Sequence, residues 1–118
     1  MKRTLSMKRI LSMLVAVALI VSVFSVVAYA SNVVIAGTPV AGTGTIIGNG
    51  VNFRQGPGTS YVAMYSLNSG EKGRLTHAYP NYPNPTWYRM TMTHGTHKGK
   101  VGWAYYSYVS APYVLLSA

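Results

Sequence analysis

The sequence has 118 residues and a mass of 12.8 kDa, room for one domain and not two. Ten Lys and Arg stand against a single Asp or Glu, giving a formal charge of +9, and there is no Cys. The lone carboxylate side chain, Glu71, excludes the carboxylate pair of glycoside hydrolysis and the acid of a Ser-His-Asp triad, while the absence of Cys excludes a Cys-His dyad and any disulfide. Catalysis is therefore not expected, and a disulfide-free domain this small must hold itself by its core alone.

Lys2, Arg3, Lys8 and Arg9 form a basic head, Ile10 to Val27 is apolar apart from Ser12, Ser22 and Ser25, and Ala28-Tyr29-Ala30 precedes Ser31. This order describes a secretory signal peptide over residues 1–30, expected as an N-terminal helix, followed by an extracytoplasmic, secreted or wall-associated protein. The apolar run also approaches the length that spans a bilayer, so an uncleaved anchor, touching the membrane only through residues 10–28, stays open as the alternative.

Residues 31–44 are rich in Gly, Thr, Ala and Val, uncharged and without helical period, and read as a flexible spacer. Thr45-Ile46-Ile47 is short and β-branched, and Gly48-Asn49-Gly50 is a turn signal. Val51-Asn52-Phe53-Arg54 alternates, which puts Val51 and Phe53 on one face and Asn52 and Arg54 on the other. Gly56-Pro57-Gly58 then breaks the strand; with no G-K-[ST] after it, the segment is a turn and not a phosphate loop. Ala63 to Leu67 and Lys72 to Tyr79 are further strands about Asn68-Ser69-Gly70. There Glu71 reads as a solvated charge beside the turn.

Pro80-Asn81-Tyr82-Pro83-Asn84-Pro85 is a stiff loop that cannot be a central strand. Trp87 to Met92 is a strand with Tyr88, Met90 and Met92 on one face and Trp87 and Arg89 on the other. His94-Gly95-Thr96-His97-Lys98 reads as a hairpin tip carrying two exposed histidines, and no metal or cofactor is expected. Lys100 to Tyr105 is the partner strand, Tyr106 to Val109 one tight helical turn, and Tyr113 to Leu116 a last strand. Short strands with turn signals throughout give an all-β class, barrel or sandwich, and a closed barrel has the merit of leaving no free edge.

Four blocks of this chain, in order, resemble the bacterial SH3 (SH3b) family. Val51 to Tyr61 resembles its L-N-V-R-x-G-P-x-x-x-Y opening, and Leu67 with Gly70 its L-x-x-G turn. Trp87-Tyr88-Arg89-Met90 resembles W-Y-K-V, Gly99 to Ala104 resembles G-K-x-G-W-V, and Tyr106 to Val109 resembles the closing S-S-Y-L. The resemblance runs from Thr45 to Val109 and implies a small SH3-like β-barrel over residues 45–118, working outside the cytoplasm and often attached to cell wall. The loop from Ala78 to Thr86 is longer than the family's usual connection, and no hydrolase domain accompanies the motifs.

After residue 30 the chain carries nine Tyr, two Trp and one Phe, more rings than so small a core can hold, so some must form an exposed surface. Flat rings with a polar tip suit sugars and extended peptides. By analogy with SH3 barrels, Trp87 and Tyr108 line a groove with Tyr61 beside it; Tyr82 and the basic Arg89 complete the candidate set. The expected partner is peptidoglycan, as peptide stem or cross-bridge, or an anionic wall polymer. The export signal and the lack of an RNA-binding signature argue against nucleic acid. The alternative is a secreted or membrane-tethered module that binds another wall protein or a host receptor through the Tyr79–Trp87 loop.

Overall fold

The computed structural model describes residues 32–117. The signal peptide expected over 1–30, its helix and the apolar run lie outside the described residues. Nine strands follow: β1 (Thr38–Ala41), β2 (Thr43–Ile46), β3 (Val51–Arg54), β4 (Ala63–Leu67), β5 (Lys72–Tyr79), β6 (Trp87–His94), β7 (Val101–Tyr105), β8 (Val109–Ser110) and β9 (Leu115–Leu116), with a 3₁₀ turn at Tyr106–Tyr108. The fold is all-β among the described residues.

The alternation read from the sequence holds where it was sharpest. Val51 and Phe53 are buried while Asn52 is exposed, and Met90 and Met92 are buried on β6. With Ile46, Leu67, Leu75, Ala78, Ala104 and Val109 they form one core cluster. Close packing here depends on Gly102: a Cβ at that position would lie 2.9 Å from the Phe53 ring.

The strands run antiparallel in the order β4-β3-β7-β6-β5-β1-β9, and β2 lies between β5 and β8. The long β5–β6–β7 meander is the centre. β3 joins it at a single register pair, Arg54 opposite Trp103. The sheet is open, which corrects the expectation of a closed barrel. Closure would require staggered ladders all the way round. Among the described residues β4 has β3 as its only strand partner, and β8 is just two residues long. The corner between β4 and β2 is bridged by turn bonds instead, the Gly70 N–H to the Ile46 carbonyl and the Ile46 N–H to the Glu71 carbonyl, both 2.8 Å.

Residues 31–44 are also not a spacer over the part that is described. β1 pairs with the end of β5, Thr38 opposite Ala78, and β2 pairs with its start, Thr45 opposite Lys72. Gly42 turns the chain between them at φ 141°, where a Cβ would meet the Tyr113 carbonyl at 2.5 Å. The segment before β1 crosses the outer face of β6 and β7. Its Val34 carbonyl accepts from Trp103 Nε1 at 2.8 Å and from Arg89 Nε at 3.2 Å, and its Val34 N–H donates to the Gln55 carbonyl. Trp103 is fully buried beneath it, with Tyr79 edge-on to its ring at 6.2 Å.

Gly102→Ala forces a methyl into the Phe53 ring and is expected to cost about 1–3 kcal/mol. Urea denaturation measures the loss, and adding Phe53→Leu to Gly102→Ala should recover part of it.

Candidate functional site

The end of β7 and the start of β6 place two rings side by side. Trp87 is opposite Tyr105 in the register, with ring centroids 5.4 Å apart at 66°. The 3₁₀ turn that follows brings Tyr106 and Tyr108 round to the same ring, 5.1 Å and 6.1 Å from Tyr105. The turn is held by the Tyr106 N–H donating to the Thr86 carbonyl at 2.9 Å. Edge contacts of this kind suit the ring quadrupoles and fix the side chains with little further ordering. Tyr105, Tyr106 and Tyr108 nevertheless remain 39%, 45% and 49% exposed.

The facing wall comes from β3 and its flanking turns. Asn52 and Arg54 point outward because Val51 and Phe53 point inward, and Asn49 and Gly50 come from the turn before them. Arg54 Nη1 donates to the carbonyls of Tyr61 at 2.9 Å and Thr59 at 3.3 Å, so the guanidinium holds the loop that brings Thr59 to the rim. Between the walls is a cleft of about 530 Å³ lined by Trp87, Tyr105 and Tyr108 on one side and by these polar groups on the other.

The sequence-predicted residues are thus divided. Trp87 and Tyr108 meet in the cleft. Tyr61 does not line it: its ring covers Gly56, where a Cβ would lie 2.5 Å from Tyr61 Cδ1. Tyr82 is elsewhere, its N–H on Thr38 Oγ1 at 3.3 Å and its hydroxyl on the Val114 carbonyl at 3.5 Å. Arg89 is a structural cation, not a flank of the cleft: it is half-buried, its Nε on the Val34 carbonyl and its Nη1 on Thr76 Oγ1 at 3.2 Å. The sequence reading missed Asn49, Asn52 and Thr59 as site residues and counted Tyr105 only among the surplus rings. Strand parity opposite Trp87 was the available signal for Tyr105; nothing local marks Asn49 or Thr59.

Glu71 departs furthest from expectation. It is 6% exposed, not solvated. Its carboxylate accepts from the Asn68 N–H at 2.7 Å, the His97 N–H at 3.1 Å and His97 Nδ1 at 2.9 Å. His97 is correspondingly turned inward, with Tyr65 against its imidazole at 5.7 Å. Burial raises the Glu71 carboxyl, but the donors from Asn68 and His97 outweigh it and leave the group below its ordinary 4.5. His77 goes the same way for a different reason: burial and the neighbouring Arg89 charge push its imidazole below 6.5. The three imidazoles take separate partners, Thr76 for His77, Thr93 for His94 and Glu71 for His97.

Comparison with protein-family models, with curated proteins and with solved structures finds no match to this chain.

Both depressed groups bind protons more readily in the unfolded chain, so both lose stability as pH falls. The His77 contribution begins to go near pH 6.5, and the Glu71 contribution is complete above 4.5 and lost as pH drops through its lowered folded value. Because the chain has no other acidic side chain, Glu71→Gln isolates the lower step. The variant is expected to be about 1.5–3 kcal/mol less stable at neutral pH, with the gap to the parent closing towards pH 3 in Tm–pH profiles.

Proposed function

We propose that the chain is a non-catalytic, exported binding module that attaches to bacterial cell wall, taking a peptide stem or cross-bridge of peptidoglycan in the Trp87–Tyr105–Tyr108 cleft. The observation that carries this reading is the convergence of three part-exposed rings on two asparagine side chains across one open cleft. Rings offer flat area to an extended backbone; the Asn52 carboxamide supplies both a donor and an acceptor for its peptide groups, and Asn49, whose Oδ1 takes the Ser69 N–H at 3.1 Å, offers its amide N–H groups. The single carboxylate side chain, Glu71, is engaged with Asn68 and His97 and does not line the cleft. The basic leader with its Ala28-Tyr29-Ala30 exit and the four SH3b-like blocks supply the extracytoplasmic setting. The alternative, a protein partner on the Tyr79–Trp87 loop, draws less support, because the Tyr82 N–H and hydroxyl already serve Thr38 and Val114.

The test is retention of the full chain on purified sacculi stripped of anionic polymer. Trp87→Ala is expected to weaken retention by about tenfold or more, as an aromatic anchor does. Retention of the parent should persist at about 1 M NaCl, where charges are screened within about 3 Å. A Trp87→Ala variant retained as well as the parent removes the reading.

A further inference from the structure

With Glu71 buried and bonded, the surface carries cations and no carboxylate side chain to answer them. Two of those cations share a built setting. Lys72 and Arg74 are exposed on the outer face of β5, because Gly73 between them faces the core, where a Cβ would lie 2.9 Å from Met92 Sδ. On one side β2 sets Thr45 opposite Lys72 and Thr43 opposite Arg74, and β8 sets Ser110 opposite Thr45. On the other side β6 sets Thr91 opposite Arg74 and, across a bulge, His94 opposite Lys72. Directly opposed residues of antiparallel strands project to the same face. The result is two parallel rows, Ser110–Thr45–Lys72 and Thr43–Arg74–Thr91. Among the described residues none of these six side chains makes a hydrogen bond or an ion pair.

We infer that this outer face of β2, β5 and β6 binds a linear polyol-phosphodiester chain, at a site separate from the aromatic cleft. An ammonium, a guanidinium and flanking hydroxyls are the donor set that phosphate oxygens take, each hydrogen bond being strengthened by charge. The two cations are two strand residues apart, about 6.7 Å, so neighbouring phosphates on a short linker each meet one cation. Neither row carries a Tyr, Trp or Phe; the one ring beside them is the His94 imidazole opposite Lys72, bonded to Thr93 Oγ1 at 2.9 Å. A single small ring gives successive bases little to stack on, which favours a polyol phosphate over single-stranded nucleic acid.

Binding of the full chain to poly(glycerol phosphate) at about 0.1 M NaCl tests the assignment. The double variant Lys72→Gln/Arg74→Gln is expected to bind about tenfold or more weakly, with the slope of log K against log salt shallower by about 1.4, or about 0.7 per cation lost. Lys98→Gln/Lys100→Gln removes the same charge elsewhere and is expected to lose less than about threefold. Lys72→Arg/Arg74→Lys, which keeps both charges, should retain binding. On sacculi stripped of phosphodiester polymer, Lys72→Gln/Arg74→Gln should be retained like the parent, so this face and the cleft fail separately. Equal losses in the two Gln double variants overturn the proposal, since net charge then explains the binding. Loss of the Lys72→Gln/Arg74→Gln variant from stripped sacculi overturns it too, as does tighter binding of oligo(dT) or polyglutamate of matched length.

Discussion

A buried carboxylate is tolerated only when its oxygens are filled by donors, and Glu71 meets that condition with two backbone N–H groups and one imidazole. The requirement constrains its surroundings. The Asn68–Gly70 turn must stay tight enough to present the Asn68 N–H, and the tip between β6 and β7 must fold back to deliver His97. Gly95 must lack a side chain, because a Cβ there would lie 2.7 Å from Glu71 Cγ. One acid thereby ties the β4–β5 turn to the β6–β7 tip, two places far apart in the chain. It also withdraws the only negative side chain from the exterior. The cationic surface follows from the same arrangement that locks the corner.

As proposed sites, the cleft and the β5 face make different demands on a ligand. The cleft rests on rings in edge contact and on carboxamides, interactions of short range that salt barely touches. The β5 face rests on two cations and hydroxyls, which weaken as ions screen them. Strand pairing produces both. Opposition of Trp87 and Tyr105 builds the first, and opposition of Arg74 to Thr43 and Thr91 builds the second.

Much of this was legible in the residue order. Alternation in Val51–Arg54 and in Trp87–Met92 is strong because one face of each strand is fully buried, and a slip of one residue would reverse every side chain. The 3₁₀ turn at Tyr106–Tyr108 was also readable. β1 was not, because Thr38-Pro39-Val40-Ala41 lacks a clean alternation, and its pairing with β5 is a long-range contact with no local signature. The open sheet was hidden for a related reason. Closure depends on whether the last short strands find partners, and that is decided by turn bonds such as Gly70 to Ile46. Arg89 and Glu71 misled for a third reason. A charge beside a turn, like Glu71, or on the outer face of a strand, like Arg89, usually faces water, and only tertiary contacts with His97 and Val34 bring these two inward. Tyr105 was within reach of parity, whereas Asn49 enters the cleft by the course of a turn.

The Val34 carbonyl sits at a junction, accepting from Trp103 and from Arg89 while its own N–H reaches Gln55. The blocks that resemble SH3b start later, at Thr45, yet the compact unit runs from Val33, itself 7% exposed. A recombinant fragment trimmed to the motif would strip the cover from an indole and leave a guanidinium beneath it without its carbonyl. It would also bare the β5 edge that β1 occupies, an open invitation to strand-mediated self-association. A practical boundary for this domain therefore has to keep the Val34 carbonyl, eleven residues ahead of Thr45.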